Sequence, residues 1–380
     1  MKHSVFLYPP LSDAAFIQSL PDAEIVRQNV VLHDFSLCRA GISDIPSVVY
    51  KRGASVEGTL TMMADTGRAR LDGLFGLFGA QAGSVRVQIG DTETQALTYR
   101  FLECDQRNLV QPAALWNAEQ TEIMRLAIVE MLELVDHFPK AALRARWPMA
   151  LSHAASQMRA RKGGEPARQR KNWNRSDVDL VHGKTPYAWY FAVAEHDLCF
   201  RQFDGAFSQT VKRAGLVMCD AVTVLPYDPR RDVVMVIEQF RFGPWLRGAC
   251  NAWLLEPVAG RVDPFERPED CALRETLEEA QITLREEALF PVGHVYPSPG
   301  AITEFLYQYV AVTDLPDGSE GISGLDSEAE DIRSHIIPFA RLMELIQTGE
   351  VVNGPLVQSA YWLALNRDRL RADAADQPDG

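Results

Sequence analysis

Along the chain, apolar and polar positions alternate, then fall into helical spacing, then alternate again. Ser4–Tyr8 is a short apolar run that predicts a buried strand, while Val56–Met62 and Ser84–Ile89 alternate as half-buried strands do. From about Ala113 to Arg161 the spacing is helical, with Ile123, Leu126, Ala127, Met131, Leu134 and Val135 on one stripe of a core or interface helix. A basic stretch follows, MRARKGGEPARQRKNWNRSD, in which Trp173 is the one aromatic residue. Lacking a stacking platform, it reads as a solvated linker in preference to an RNA- or anion-binding strip. Alternation resumes in YAWYFAVAEHDLCFRQF, DAVTVLPYD and DVVMVIEQFRF, and Asp228-Pro229 with Arg231-Asp232 marks a hairpin turn between the last two. A strongly polar helix is predicted over Pro268–Glu279, a strand over HVYPSPGAITEFLYQYVAV, and closing helices near Phe339–Thr348 and Gly354–Leu370.

These elements predict a mixed α/β (α+β) chain, and 380 residues are too many for one ordinary domain. We expect residues 1–110 as one domain, 111–180 as helical connector and basic linker, and 181–375 as a second domain. At 47% hydrophobic and 23% charged the chain has globular composition. A net charge of −13 argues against a nucleic-acid-coating protein. No run approaches the roughly 18 apolar residues of a membrane helix, and the N-terminus MKHSVFLYPPLSD has no signal-peptide pattern, so a cytoplasmic location is expected. The six cysteines are scattered, with no CxxC, which suits reduced thiols better than a disulfide framework.

The chemistry concentrates between residues 260 and 282. On a helix starting near Pro268, Glu275, Glu278 and Glu279 fall at i, i+3 and i+4, one face of a single turn. Like charges that close repel unless a cation compensates them, and hard divalent cations take carboxylate oxygens. Arg274, beside them, can brace one carboxylate. Taken alone, the three glutamates also fit a solvated acidic helix face.

The full spacing Gly260-RVDPF-Glu266-RPEDCAL-Arg274-Glu275-Thr276-Leu277-Glu278-Glu279-Ala280-Gln281-Ile282 resembles the Nudix hydrolase box, G-x5-E-x7-R-E-U-x-E-E-x-G-U, where U is a bulky aliphatic residue. Every charged position matches. Thr276 stands in place of an aliphatic residue, and Gln281 in place of the glycine that usually ends the helix. The resemblance implies a Nudix α/β/α sandwich with a mixed sheet. It makes Glu275 and Glu279 metal ligands together with the Ala259 carbonyl, has Glu278 contribute, and has Glu266 and Arg274 orient the cluster. Mg²⁺, with Mn²⁺ as substitute, is the implied cofactor.

Outside the box, Ser298-Pro299-Gly300-Ala301-Ile302-Thr303-Glu304 and VIEQFRF resemble the ADP-ribose pyrophosphatase subfamily. That resemblance implies substrate binding by Arg213, Arg241, Gly300 and Glu304. The segment from Leu325 to Arg333 resembles the subfamily's catalytic loop, implying Glu328 as the base and Glu330 near a metal. The expected reaction is hydrolysis of ADP-ribose, or a related ADP-sugar, to AMP and ribose 5-phosphate by a homodimer. Alternatives are another nucleoside diphosphate derivative (an NDP-sugar, NADH, a dinucleoside polyphosphate) or a regulator that only senses ADP-ribose. A pure sensor has no need of metal carboxylates and a base.

Residues 1–110 resemble the γ-glutamylcyclotransferase-like (AIG2-like) family through VFLYPPL, SVEGTL and RARLDGLFG, which implies a small β-barrel-like domain. Pro9 and Pro10 occupy the turn whose N–H groups that family offers to substrate, and Phe75 stands where its acid/base glutamate would be. A non-catalytic domain is therefore expected. The pairing of the two resembles the tellurite-resistance-associated Nudix proteins.

Overall fold

The structure, a computed structural model, describes residues 1–20, 22–40, 45–101, 117–163, 166–324 and 331–376. It divides into two compact units, residues 1–217 and 218–380. The mixed α/β class expected from the patterning is what forms.

The first unit begins with β1 (Lys2–Leu7), α1 (Ala14–Ser19), β2 (Glu24–Ala40), β3 (Ile45–Ala64), α2 (Asp65–Leu77), β4 (Ala80–Ile89) and β5 (Thr92–Phe101). The five strands close into a barrel in the order β1-β3-β2-β4-β5. Its interior takes every second residue, among them Phe6, Tyr8, Leu32, Val56, Leu60 and Val87. Gly58 is required by close approach, since a Cβ there would lie 2.3 Å from the Leu7 carbonyl oxygen.

Two helices follow, α3 (Ala118–Leu134) and α4 (Lys140–Lys162), where the periodicity alone predicts one. Pro139 sits at the N-cap of α4 in extended backbone, a position where proline's fixed φ and missing N–H cost little, while Pro148 is accommodated inside α4. The fully buried Arg146 joins the pair: its guanidinium donates to Glu130 Oε1 at 2.8 and 2.9 Å, and His153 Nδ1 lies 2.7 Å from Glu130 Oε2. Burial pushes the Glu130 carboxyl up, but His153 and Arg146 outweigh it and hold it below the ordinary value.

The start of the basic stretch is the last turn of α4. After it come β6 (Val178–Ala188), β7 (Ala192–Phe200) and β8 (Val211–Val217), a three-stranded antiparallel sheet. The single strand expected from Tyr187 is a hairpin, with the turn at 189–191. Cys38 is disulfide-bonded, against the expectation of reduced thiols, while Cys199, Cys219, Cys250 and Cys271 form no disulfide. Spacing in sequence does not show which strands lie side by side.

The second unit contains β9 (Ala221–Asp228), β10 (Val233–Phe240), α5 (Phe242–Arg247), β11 (Trp253–Glu256), β12 (Val258–Arg261) and α6 (Pro268–Ala280). Next are β13 (Leu289–Val295), β14 (Leu306–Val312), β15 (Ile322–Ser323), β16 (Ile332–Pro338), α7 (Phe339–Thr348) and α8 (Gly354–Ala375). The sheet order is β13-β14-β9-β10-β16-β15, with β11 on β10 and β12 on β9. The segment expected as one strand from His294 splits into β13 and β14, because Pro297 and Pro299 cannot donate to a ladder.

Layering follows from the two-residue period of strands. Val222, Val224, Met235 and Ile237 pack on one face with Cys271 and Ala272 of α6. Leu225, Tyr227, Val234 and Val236 pack on the other with Leu342 of α7 and Leu356, Ala360 and Leu363 of α8. The hairpin at 228–233 forms as expected, yet β9 and β10 pair only at Asp228–Val233 and Tyr227–Val234. Beyond that each takes a separate partner, and the sheet opens into a wedge beside β11 and β12.

Helix α6 ends on Gln281 at φ 57°, ψ 28°, the left-handed conformation that the missing glycine normally provides. Gln281→Gly should therefore raise stability by about 1 kcal/mol, read as a higher urea midpoint with unchanged slope. An unchanged or lower midpoint would show that the helix end carries no strain.

Candidate active site

Helix α6 starts with Pro268 in its first turn and Glu269 and Asp270 at the positive end of the helix dipole. Its inward stripe is Cys271, Ala272, Thr276, Glu279 and Ala280, all buried. Thr276 satisfies its hydroxyl by donating to the Ala272 carbonyl at 2.7 Å, which makes a polar residue tolerable at an aliphatic position. One turn therefore presents Glu275, Glu278 and Glu279 toward β12 and the loop after it.

Each glutamate is held differently. Glu279 is 2% exposed and accepts a hydrogen bond from the Ala259 N–H at 2.9 Å. Glu275 lies over Gly260: a Cβ built there would be 1.9 Å from its Cδ and 2.0 Å from its Oε1. Glu278 is the most open of the three, with 30% of its side chain exposed.

Arg274 ties the group together. Its Nη1 donates to Glu275 Oε1 at 2.7 Å and Glu278 Oε2 at 3.0 Å, while Nε and Nη2 reach the two oxygens of Glu266, both at 2.9 Å. Those bonds, chiefly to Glu266, raise the guanidinium pKa further above its ordinary value against the opposing effect of burial. Burial pushes the Glu266 carboxyl up, but Arg274 and the Asp263 N–H outweigh it and leave it below the usual range. Asp263, in the same loop, is pushed up by burial.

The carboxylate oxygens of Glu275 and Glu279 are donors of the kind a hard divalent cation takes. Among the described residues no three His, Cys, Asp or Glu side chains converge as a ligand set, and Arg274 supplies the compensating charge. Glu328 and Glu330 lie outside the described residues.

On the other side of the wedge, Arg241 is bonded to Glu256 of β11 at 2.6 Å, and Glu256 also accepts from Asn353 at 3.1 Å. Burial and the nearby Asp220 push the Glu304 carboxyl up, with Arg241 opposing them, so the three charged groups act on one another. Gly300 lies in the loop between β13 and β14, where a Cβ would meet nothing within 4 Å. Thr303 fastens that loop by bonding the Met218 N–H and carbonyl, both at 2.8 Å. Arg213 belongs to β8 of the first unit, where its guanidinium donates to the Lys212 carbonyl at 2.9 Å. Asp220, Thr303 and Asn353 were not singled out from the sequence. Only Asn353 carries a readable signal, an N-cap residue shortly before a proline.

Residues 218–359 match the NUDIX domain model. The chain is 32% identical over 203 residues to the ADP-ribose pyrophosphatase of Haemophilus influenzae, a match spanning 53% of this chain and 92% of that protein. The chain belongs to the Nudix hydrolase family. It is also 32% identical over 148 residues to a GDP-mannose pyrophosphatase of Escherichia coli, covering 39% of this chain and 74% of that protein. A solved ADP compounds hydrolase aligns with TM-score 0.41 and 19% identity over 53% of this chain and 98% of that one. Residues 218–380 supply at most 163 of the 203 positions in the first match, so the similarity also takes in chain ahead of Met218. Hydrolases of this family use divalent metal ions, in keeping with the donor set on α6.

Two outcomes follow from this geometry. Gly260→Ala should fold but displace Glu275, and since a misplacement of about 1 Å can cost on the order of 100-fold, pyrophosphohydrolase kcat/KM should fall by that order. Full activity in this variant would show that Glu275 need not lie on β12. For Glu304, the folded value lies above the ordinary 4.5, so its ionised form burdens the folded state at neutral pH. Glu304→Gln should therefore have a higher Tm than the natural protein at pH 8, with the gain vanishing below the ordinary value. A gain that grew on acidification would contradict the sign.

Proposed function

We propose that this Nudix hydrolase cleaves the diphosphate of ADP-ribose, or a closely related ADP-sugar, giving AMP and ribose 5-phosphate. The observation carrying this reading is the glutamate cluster fastened to β12 at Ala259 and Gly260 and braced by Arg274. It is supported by similarity spanning 92% of an ADP-ribose pyrophosphatase. Glu275, Glu279 and the Ala259 carbonyl would hold Mg²⁺, with Mn²⁺ as substitute. The bound cation supplies charge neutralisation at the phosphoryl oxygens and a more acidic water.

The chain's own residues do the rest. Glu266 and Arg274 set the orientation of Glu275 and Glu278. Arg241 offers a planar fork to the diphosphate, and a guanidinium suits bidentate phosphate contact. Arg213, Gly300 and Glu304 would complete substrate binding. Glu328 would take the proton of the attacking water, and Glu330 would approach the metal.

The reading extends to the whole chain as a homodimer in the cytoplasm. Residues 1–110 form a non-catalytic AIG2-like domain in a tellurite-resistance-associated type of Nudix protein, and residues 111–180 the connector. Residues 181–375 are the hydrolase domain, a boundary supported by similarity reaching ahead of Met218. Phe75 supports the loss of cyclotransferase chemistry: it is buried and stacked on Tyr99 with ring centroids 4.4 Å apart. A second substrate, another NDP-sugar, is favoured by the similarity to a GDP-mannose pyrophosphatase.

Purified full-length protein should release AMP and ribose 5-phosphate from ADP-ribose with Mg²⁺, and lose turnover in EDTA. Glu279→Gln should abolish it with little change in circular dichroism. Retention of full turnover by Glu279→Gln would sink the metal-site assignment, and inertness toward ADP-ribose with rapid hydrolysis of GDP-mannose would sink the substrate.

A further inference from the structure

The glutamates of α6 are not the only buried carboxylates bordering the wedge. Glu256, on β11, is 4% exposed, and its bonds run to two residues far apart in sequence. Arg241 donates to Oε2 from Nε at 2.8 Å, and its Nη2 lies 2.6 Å from the same oxygen as an ion pair. Asn353 donates to Oε1 from Nδ2 at 3.1 Å. The geometry points to Asn353 as a positioning residue that sets Arg241, through Glu256, for the substrate diphosphate. This inference rests on the reading that Arg241 meets the substrate.

An ionised carboxylate taken out of water must have both oxygens satisfied. Arg241 supplies the opposing charge on one oxygen, and the Asn353 amide supplies the donor on the other. That amide is fixed at its second atom too, because its Oδ1 accepts the Leu356 N–H at 2.8 Å as the N-cap of α8. Rotating the amide toward another partner would uncap a 22-residue helix whose Leu356, Ala360 and Leu363 are buried in the core. Asn353 therefore transmits the position of α8 to Glu256, and Glu256 transmits it to one edge of the Arg241 fork.

The outcome is an arginine set before substrate arrives. Arg241 keeps 39% of its side chain exposed although two of its nitrogens are committed to Glu256. A long side chain already held in one rotamer gives up less freedom on binding a phosphate than one moving in solvent. Loss of the Asn353 donor should thus appear in substrate affinity, with the chemical step spared.

Two substitutions separate positioning from capping. Asn353→Ser keeps an N-cap oxygen but is too short to reach Glu256. Asn353→Asp also caps, but sets a second carboxylate against Glu256. In full-length protein with ¹⁵N-labelled arginine, the Nε–H of Arg241, identified by its loss in Arg241→Lys, reports the ion pair without substrate. Both variants should speed its hydrogen exchange by roughly tenfold and raise KM for ADP-ribose by roughly tenfold, the worth of one hydrogen bond to a charged group. Tm should fall by only a few degrees, because Glu256 Oε1 is left without its donor, while kcat stays within a factor of about two. Unchanged exchange and KM in both variants would reduce Asn353 to a helix cap, and a parallel fall in Tm and kcat would show a structural role only; either overturns the inference. If the natural protein leaves ADP-ribose intact, the substrate reading fails by itself, and the exchange rate still decides whether Asn353 sets Arg241.

Discussion

Three glutamates on one helical turn are an electrostatic liability, and the site is organised around relieving it. Glu275, Glu278 and Glu279 lie close enough to repel, and Glu266 comes in from the loop ahead of α6. A single guanidinium at Arg274 bonds three of the four, because a planar fork offers donors in several directions at once. The fourth, Glu279, is paired with the backbone N–H of Ala259. The acidic face is thereby stable in the folded protein and remains composed of hard oxygen donors.

That arrangement depends on the sheet. Because β9 and β10 pair only near their hairpin, β11 and β12 can lie along the two sides of the opening. Strand β12 carries Ala259 and Gly260 against α6, while β11 carries Glu256 against Arg241. The absence of a side chain at Gly260 allows Glu275 to lie on the strand. The glutamate cluster on one side and the Arg241–Glu256 pair on the other follow from a few lost strand pairings.

The boundary between compact units does not coincide with the reach of similarity. Strands β6 to β8 cluster with the first unit, yet the match to the ADP-ribose pyrophosphatase of Haemophilus influenzae is too long to fit after Met218. Compactness reports where a segment packs in this chain, and similarity reports a shared sequence.

The charged positions of the box were legible in the sequence because they are local. A 3.6-residue period alone places Glu275, Glu278 and Glu279 on one face, whereas the left-handed backbone of Gln281, where the box usually has glycine, is seen only in the structure. The hairpin at 228–233 and the helical stripe through Ile123 and Met131 were equally local. What spacing could not show was the break at Pro139 as a helix start, the strands of residues 178–188 and 211–217, or the disulfide at Cys38. Nor could it bring Asn353 to Glu256, 97 residues away, or set Asp220 beside Glu304. Local periodicity fixes which side chains share a face; only packing, through burial that forces each polar group to find a partner, decides which faces meet.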